Sequence, residues 1–212
     1  MPELFIHDDY SPEIIANALK RQKLIVSKMK QEEGMYGSSN IDPHAFIILD
    51  DCLYDSSWTK DKNVRSLFMN GRHYKILFII TMQFALGIPP NLRGNIDYVF
   101  ILRENYISNR KRIYDHYAGM FPTFEIFCQV MDQCTENYEC LVIDNTSKSN
   151  KIEDQVYWYK AGAHPDFTIG APEFWQHHTN NYNGGNCEEE QFDYSSIKKK
   201  KGPYINVKKD FF

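Results

Sequence analysis

Residues Ala45-Phe46-Ile47-Ile48-Leu49-Asp50-Asp51 form an apolar run that stops on two adjacent carboxylates. The next such run, Ile76-Leu77-Phe78-Ile79-Ile80-Thr81-Met82-Gln83, closes on an amide. Short continuous apolar runs read as buried strands, the kind found in parallel sheets. The C-terminal edge of such a sheet is where α/β proteins place their ligands. The stretch between the two runs holds room for one helix, near Asn63 to Met69, with Val64, Leu67 and Phe68 on one face and Gly71 as its stop.

The pattern extends in both directions. Leu4 to His7 reads as a short strand ending on Asp8-Asp9, and Ser11-Pro12-Glu13 supplies an N-cap, a first-turn proline and a first-turn acid. Ile14, Ile15, Ala18, Leu19, Ile25, Val26 and Met29, with polar Gln22 among them, predict a helix to about Lys30, and Glu32 to Pro43 reads as loop. After the Gln83 strand, Gly87-Ile88-Pro89-Pro90 interrupts regular structure, which leaves Arg93 on a loop. Asn95 to Arg103 reads as a strand, and helices are expected from Ser108 to Tyr117 and from Thr123 to about Gln133. Tyr138 to Asp144 and Val156 to Ala161 read as an antiparallel hairpin, with the aromatic Tyr157-Trp158-Tyr159 packing it on the sheet. Alternating strands and helices up to Arg103 predict a three-layer α/β domain over residues 1–165 with a mostly parallel sheet and the hairpin at its edge. Residues 166–212 carry His177-His178, a Gly- and Asn-rich stretch, Glu188 to Glu190 and Lys198 to Lys201, and read as a flexible polar tail.

Bulk properties narrow the function. A chain of 212 residues with 42% hydrophobic and 15% aromatic residues builds a globular core. Its net charge of -4 gives no general attraction to polyanions, so any nucleic-acid contact must come from local patches. Five cysteines without a Cys-x-x-Cys pair argue against a disulfide framework or a zinc site and for a reducing compartment. No signal peptide opens the chain, and the apolar run around Ile76 to Met82 is too short for a membrane span, so the sequence reads as that of a soluble intracellular protein.

The candidate chemistry centres on the two strand ends. An acid at the end of a buried strand can orient Mg²⁺, and its neighbour can polarise an attacking water. Taken alone, an Asp-Asp strand end often marks only where a chain reaches solvent, and Asp8-Asp9 has the same form after a shorter run. Gln83 shifts that balance, because an amide ending the next strand holds a phosphate or a lytic water without competing for the metal. Arg93 offers a cation that could reach a neighbouring subunit's site, or else a surface salt bridge worth under about 1 kcal/mol. Arg72 and His73 read as scaffold or DNA-side residues. Arg110-Lys111-Arg112 opens a helix against the sign of the dipole, which admits a phosphate-facing role beside a solvated face. His177-His178 lacks a third ligand at metal spacing. The Lys198 to Lys201 run admits DNA contact or a localisation signal beside simple solvation.

As an ordered set, these residues resemble the DNA-packaging ATPases of large nucleocytoplasmic DNA viruses, the poxvirus-type branch of the FtsK–HerA superfamily of P-loop NTPases. The resemblance rests on Phe46 to Asp51, on Gly71-Arg72-His73 leading to Thr81-Met82-Gln83, on Pro89-Pro90-Asn91-Leu92-Arg93-Gly94-Asn95-Ile96-Asp97-Tyr98, and on Val156 to Ala161. It implies a P-loop NTPase fold of the RecA-like (ASCE) type and an oligomeric, ring-forming motor that hydrolyses ATP to drive double-stranded DNA into a capsid. It also implies Asp50 as the Walker B acid orienting Mg²⁺ through water, Asp51 as the water-polarising acid, Gln83 as the sensor and Arg93 as an arginine finger. Further expectations are a capsid portal or membrane-associated packaging site and a setting in the host cytoplasm (the viral factory) or the virion.

One part of that pattern is missing. No Gly-x-x-x-x-Gly-Lys-Ser/Thr phosphate loop (Walker A) occurs in these residues. In such folds this loop follows a first strand in the middle of the sheet, between the strands assigned to Ile76–Met82 and Ile96–Leu102. Without it the sheet would expose apolar edges, open to repair by direct pairing of the flanking strands, by oligomerisation, or by a separate Walker A-bearing N-terminal fragment. Backbone amides do most of the phosphate cradling in this class, so the expectation is little turnover by the chain alone. The alternative is a non-catalytic assembly or DNA-contact subunit that keeps the ATPase fold. A metal-dependent nuclease using Asp8, Asp9, Asp50 and Asp51 stands third.

Overall fold

A computed structural model of the protein describes residues 1–51, 56–84 and 87–182. Cys52, Cys187, Glu188 to Glu190 and the Lys198 to Lys201 run lie outside the described residues.

Two compact units are present. The larger, Asp8–Pro165, begins with helix α1, Pro12–Tyr36. Ser11 caps it by accepting from the Glu13 amide, and Gly37 ends it in the left-handed conformation (φ 79°) that a glycine adopts without a steric penalty. The helix thus runs six residues past Lys30, into the stretch that reads as loop. Gly34 weakens a helix interior by only about 1 kcal/mol, and no strong stop signal precedes Gly37.

Strand β1, Ala45–Asp50, pairs in parallel with β2, Ile76–Thr81, in a register that sets Ala45 opposite Ile76 and Asp50 opposite Thr81. Helix α2, Lys62–Asn70, joins them, capped by the Asp61 carboxylate on the Asn63 amide. Gly71 follows because a Cβ there would sit 2.6 Å from the Leu67 carbonyl oxygen. One face of the pair is covered by Ile15 and Leu19 of α1 and Leu67 of α2, which meet Ile47, Leu49, Ile76, Phe78 and Ile80. Gln22 is buried in that stripe, and its amide donates to the carbonyls of Pro43 (2.7 Å) and Tyr74 (2.9 Å). A polar residue within the helix's apolar stripe therefore ties α1 to the approaches of both strands.

Helix α3 is a single turn, Pro90–Arg93, so Arg93 lies on a helix and not on a loop. Proline suits the first helical position because its missing amide would have no partner there. Leu92 and Ile88 pack with Trp58 and Val64 in a second cluster.

Strand β3, Tyr98–Ile101, pairs with β4, Glu139–Asp144, which pairs with β5, Val156–Lys160; both pairings are antiparallel. Helices α4, Ile107–Tyr117, and α5, Phe124–Cys134, cover one face, where Phe127, Met131, Leu141 and Ile143 are fully buried. Arg110, at the start of α4, is buried and bonded to Asp132 (2.7 Å), while Lys111 pairs with Asp115 (2.9 Å). These ties fix the scaffold. Asp132 holds its carboxyl below the usual aspartate range chiefly through the Arg110 hydrogen bond.

Among the described residues the architecture is thus mixed α/β, with one two-stranded parallel sheet and one three-stranded antiparallel sheet. It departs from a mostly parallel sheet because β3 pairs with β4 and not with β2. It departs from three layers because the described helices cover one face of each sheet. On the other face of the parallel pair, Ile48, Leu77 and Ile79 are 50%, 62% and 40% exposed. On the antiparallel sheet Tyr98, Phe100, Tyr157 and Tyr159 are likewise exposed.

The smaller unit joins Met1–His7 to the segment from Asp166. Glu3–Phe5 forms a turn of 3-10 helix where the sequence reads as strand, and Pro172–Asn181 forms helix α6 within the predicted tail. An isolated apolar run gains little as a strand without a partner. Here Phe5 instead packs on Phe174 of α6, with ring centroids 4.4 Å apart, and the Leu4 amide reaches the His178 ring at 3.4 Å. His178 also stacks on Tyr182.

Candidate functional site

The parallel register delivers three sequence-predicted residues to one place. Asp50 and Thr81 end their strands as partners, and the Thr81 hydroxyl donates to Asp50 Oδ1 at 2.5 Å. The same hydroxyl oxygen accepts from the Asp51 amide at 3.0 Å. Gln83 Nε2 donates to Asp51 Oδ2 at 2.5 Å. All four residues are solvent-exposed.

Backbone conformation sharpens the picture. Asp51 has φ 47°, in the left-handed region that aspartate tolerates but most side chains avoid. Such positions cost on the order of 1–3 kcal/mol and concentrate at functional sites. The turn directs Asp51 toward Gln83, although strand alternation would point it away from the face that carries Asp50. Asp50 and Thr81 share the bare sheet face with Ile48, Leu77 and Ile79. Whatever covers that face would meet the acid and the hydroxyl.

Among the described residues, no group of three or more His, Cys, Asp or Glu side chains is gathered to hold a metal. Two carboxylates, a hydroxyl and an amide stand at the site instead. Mg²⁺ in nucleotide sites takes one or two carboxylates plus water and phosphate oxygens. The donor set therefore fits the protein's share of such a site and not a self-contained cage. An amide cradle for the phosphates is the part this cluster does not contain.

Arg93 is placed differently. Its guanidinium lies over the Tyr117 ring at 5.8 Å and bonds to the phenol, tying α3 to α4. Burial raises the Tyr117 pKa, and Arg93 partly offsets that effect. No contact joins Arg93 to Asp50, Asp51 or Gln83 among the described residues. Arg72 forks onto Asp97, with Nε to Oδ2 at 3.0 Å, which fixes the turn before β2 to the approach of β3. Thr81 is the residue that sequence reasoning missed. The available signal was its register: two strands of equal length ending together set it opposite Asp50.

No established protein-family profile matches the chain. It is 42% identical over 183 residues to an uncharacterised protein of Acanthamoeba polyphaga mimivirus, covering 86% of this chain and 63% of that protein. It is 44% identical over 162 residues to an uncharacterised protein of Invertebrate iridescent virus 6, covering 75% of this chain and 58% of that protein. A third relative, from Frog virus 3, is 35% identical over 179 residues, covering 84% of this chain and 52% of that protein. Among solved structures, the genome packaging NTPase B204 of Sulfolobus turreted icosahedral virus 2 in complex with AMPPCP shows a TM-score of 0.44 and 13% identity, over 68% of this chain and 62% of that one. The chain is therefore similar in sequence to proteins of large DNA viruses, and it spans between 52% and 63% of the length of these three relatives.

Proposed function

We propose that this chain carries the acid-and-amide half of an ATP-hydrolysing site in a motor that packages viral double-stranded DNA. The observation behind this reading is the Asp50–Thr81 and Asp51–Gln83 cluster at the C-terminal end of a parallel strand pair. In this reading Asp51 and Gln83 would orient the attacking water, and Asp50 would hold the water shell of Mg²⁺. The metal, when bound, supplies charge neutralisation at the transferring phosphate. Arg93, held over Tyr117, would need to leave that contact to act in a neighbouring subunit's site.

In this reading the other half of the site has a definite shape. The outer edges of β2 and β3 have no partner strand among the described residues, and both sheets leave an apolar face bare. A strand–phosphate-loop–helix segment would supply edge hydrogen bonds with its strand, cover for Ile48, Leu77 and Ile79 with its helix, and phosphate-binding amides with its loop. The completed domain would be a three-layer P-loop NTPase with a mostly parallel sheet. The length of the mimivirus relative outside the match is the natural source of that segment. The same reading carries the homo-oligomeric ring, the capsid portal or membrane-associated packaging site, and the cytoplasmic or virion setting. Among the described residues no helix is long and apolar enough to cross a membrane.

The test is a chimera that joins this chain to the part of the mimivirus relative outside the match. Mg²⁺-dependent ATP turnover by the chimera, reduced about 100-fold or more by Asp51→Asn, is the expected result. A folded chimera that binds no ATP analogue and hydrolyses none would sink the proposal. The bare apolar faces also favour a second reading, a non-catalytic assembly subunit. A chimera that forms rings without turnover would select it.

A further inference from the structure

A separate surface of the Asp8–Pro165 unit carries lysines beside an open cleft. An open cleft of about 320 Å³ lies between α1 and the turn before β2, lined by Lys23, Val26, Ser27, Lys30, His73 and Tyr74. Val26 is buried and forms its floor, while Lys23, Ser27, Lys30 and His73 are exposed. Lys23 Nζ lies 5.2 Å from the centre of the Tyr74 ring, which positions the ammonium at the cleft wall. Lys20 continues the same flank of the helix one turn earlier, because residues three and four apart are surface neighbours. No ion pair to an acid engages Lys20, Lys23 or Lys30 among the described residues, and the nearby Glu32 carboxylate accepts from Ser39 instead.

From this arrangement we infer that the α1–Tyr74 cleft binds the phosphodiester backbone of a nucleic acid. A site for one phosphate gathers backbone amides around a point. Here long, mobile cations are strung along a helix instead. At 1.5 Å per residue, Lys20 and Lys30 lie about 15 Å apart along the axis, which corresponds to about four phosphates of one DNA strand. Ser27 adds a hydroxyl donor, a common partner of phosphate oxygens, and His73 lines the cleft beside it. Such contacts position a duplex without reading its sequence. The chain's net charge of -4 makes this stripe a local exception and not part of a general field.

The inference deepens the motor reading by giving its DNA a contact surface. Its test is equilibrium binding without nucleotide, so a failed hydrolysis assay and a failed binding assay are separate results. The 212-residue chain is titrated into a fluorescently labelled 20-base-pair duplex and a single strand of the same length, at several salt concentrations. Expected are binding that weakens with salt, a loss of about tenfold or more in K23E/K30E, and a salt slope shallower by about 0.9 for each lysine removed. K23Q/K30Q should show the same shallower slope with a native circular dichroism spectrum, which separates lost contact from lost fold. The ratio of duplex to single-strand affinity identifies which backbone the cleft takes. The same charge change on the β4–β5 connection, K148E/K151E, should cost little. Equal losses in both double mutants would overturn the proposal in favour of non-specific electrostatics. Displacement of the duplex by inorganic phosphate, at concentrations too low to act through ionic strength, would overturn it in favour of a single-anion pocket.

Discussion

The two sheets of the Asp8–Pro165 unit come from similar apolar runs and reach different states. In the antiparallel sheet, β4 lies between β3 and β5, and Leu141 and Ile143 are wholly buried under α4 and α5. In the parallel pair, each strand has one partner among the described residues, and Leu77 and Ile79 of β2 face solvent. The first sheet satisfies its central strand on both edges. The second keeps an edge and a face open, and its carboxylates stand at that open end. The difference teaches that the best-buried sheet of this unit and the sheet that carries the candidate site are separate elements, joined by ties such as the Arg72–Asp97 fork.

The comparison can be broken most forcefully at the closed sheet. Phe127→Ala removes a fully buried ring that meets Phe121 and Tyr114, and should cost about 3–5 kcal/mol in urea denaturation. A loss under about 1 kcal/mol would show that this sheet is not the stability centre. On the parallel side, Gln22→Leu keeps the volume but leaves the Pro43 and Tyr74 carbonyls without their buried donor. The expected cost is about 1–3 kcal/mol, with amide exchange in β1 and β2 accelerated more than in β4.

Titration gives a smaller, signed difference. The Asp132 pKa lies below its ordinary value, so folding favours the charged carboxylate. Its contribution is fully present above the ordinary aspartate range near about pH 3.9 and is lost as pH falls through the lower folded value. Asp132→Asn should therefore flatten the acid limb of the stability curve below about pH 4 and lower the plateau above it. An unchanged acid limb would show that the Arg110 pair is not linked to folding. The smallest effect belongs to the open face. Leu77→Ser with Ile79→Ser should change the stability of this chain by less than about 0.5 kcal/mol per site, since surface substitutions seldom do more. In the chimera the same pair should cost several times as much, because the face is then covered. Equal, small effects in both proteins would mean that nothing docks there.

Much of this was legible in the sequence. Apolar periodicity located α2, α4, α5 and the five strands among the described residues to within a few residues, and the start but not the end of α1; Asp50, Asp51 and Gln83 emerged as one group from their positions at strand ends. Apart from the late end of α1, the errors share a physical origin, since they arise where a segment's partner decides its state. Leu4 to His7 has strand-like composition, yet Glu3–Phe5 forms a 3-10 turn and Phe5 packs on a helix from the far end of the chain. Arg93 reads as free on a loop but lies on a helical turn against Tyr117, and Thr81 became part of the site only through its register with Asp50.

What the sequence determined by itself is the local chemistry: for most segments whether they are helix or strand, and which strand ends carry acids and an amide. These depend on side-chain period, caps and turn residues within a few positions of one another. Only the tertiary structure decided which strands pair. β3 joins β4 and leaves β2 with an open edge, because pairing is settled by contacts between residues distant in the chain. That choice leaves the Asp-Asp at the end of β1 in an exposed cluster with Thr81 and Gln83 beside a bare apolar face.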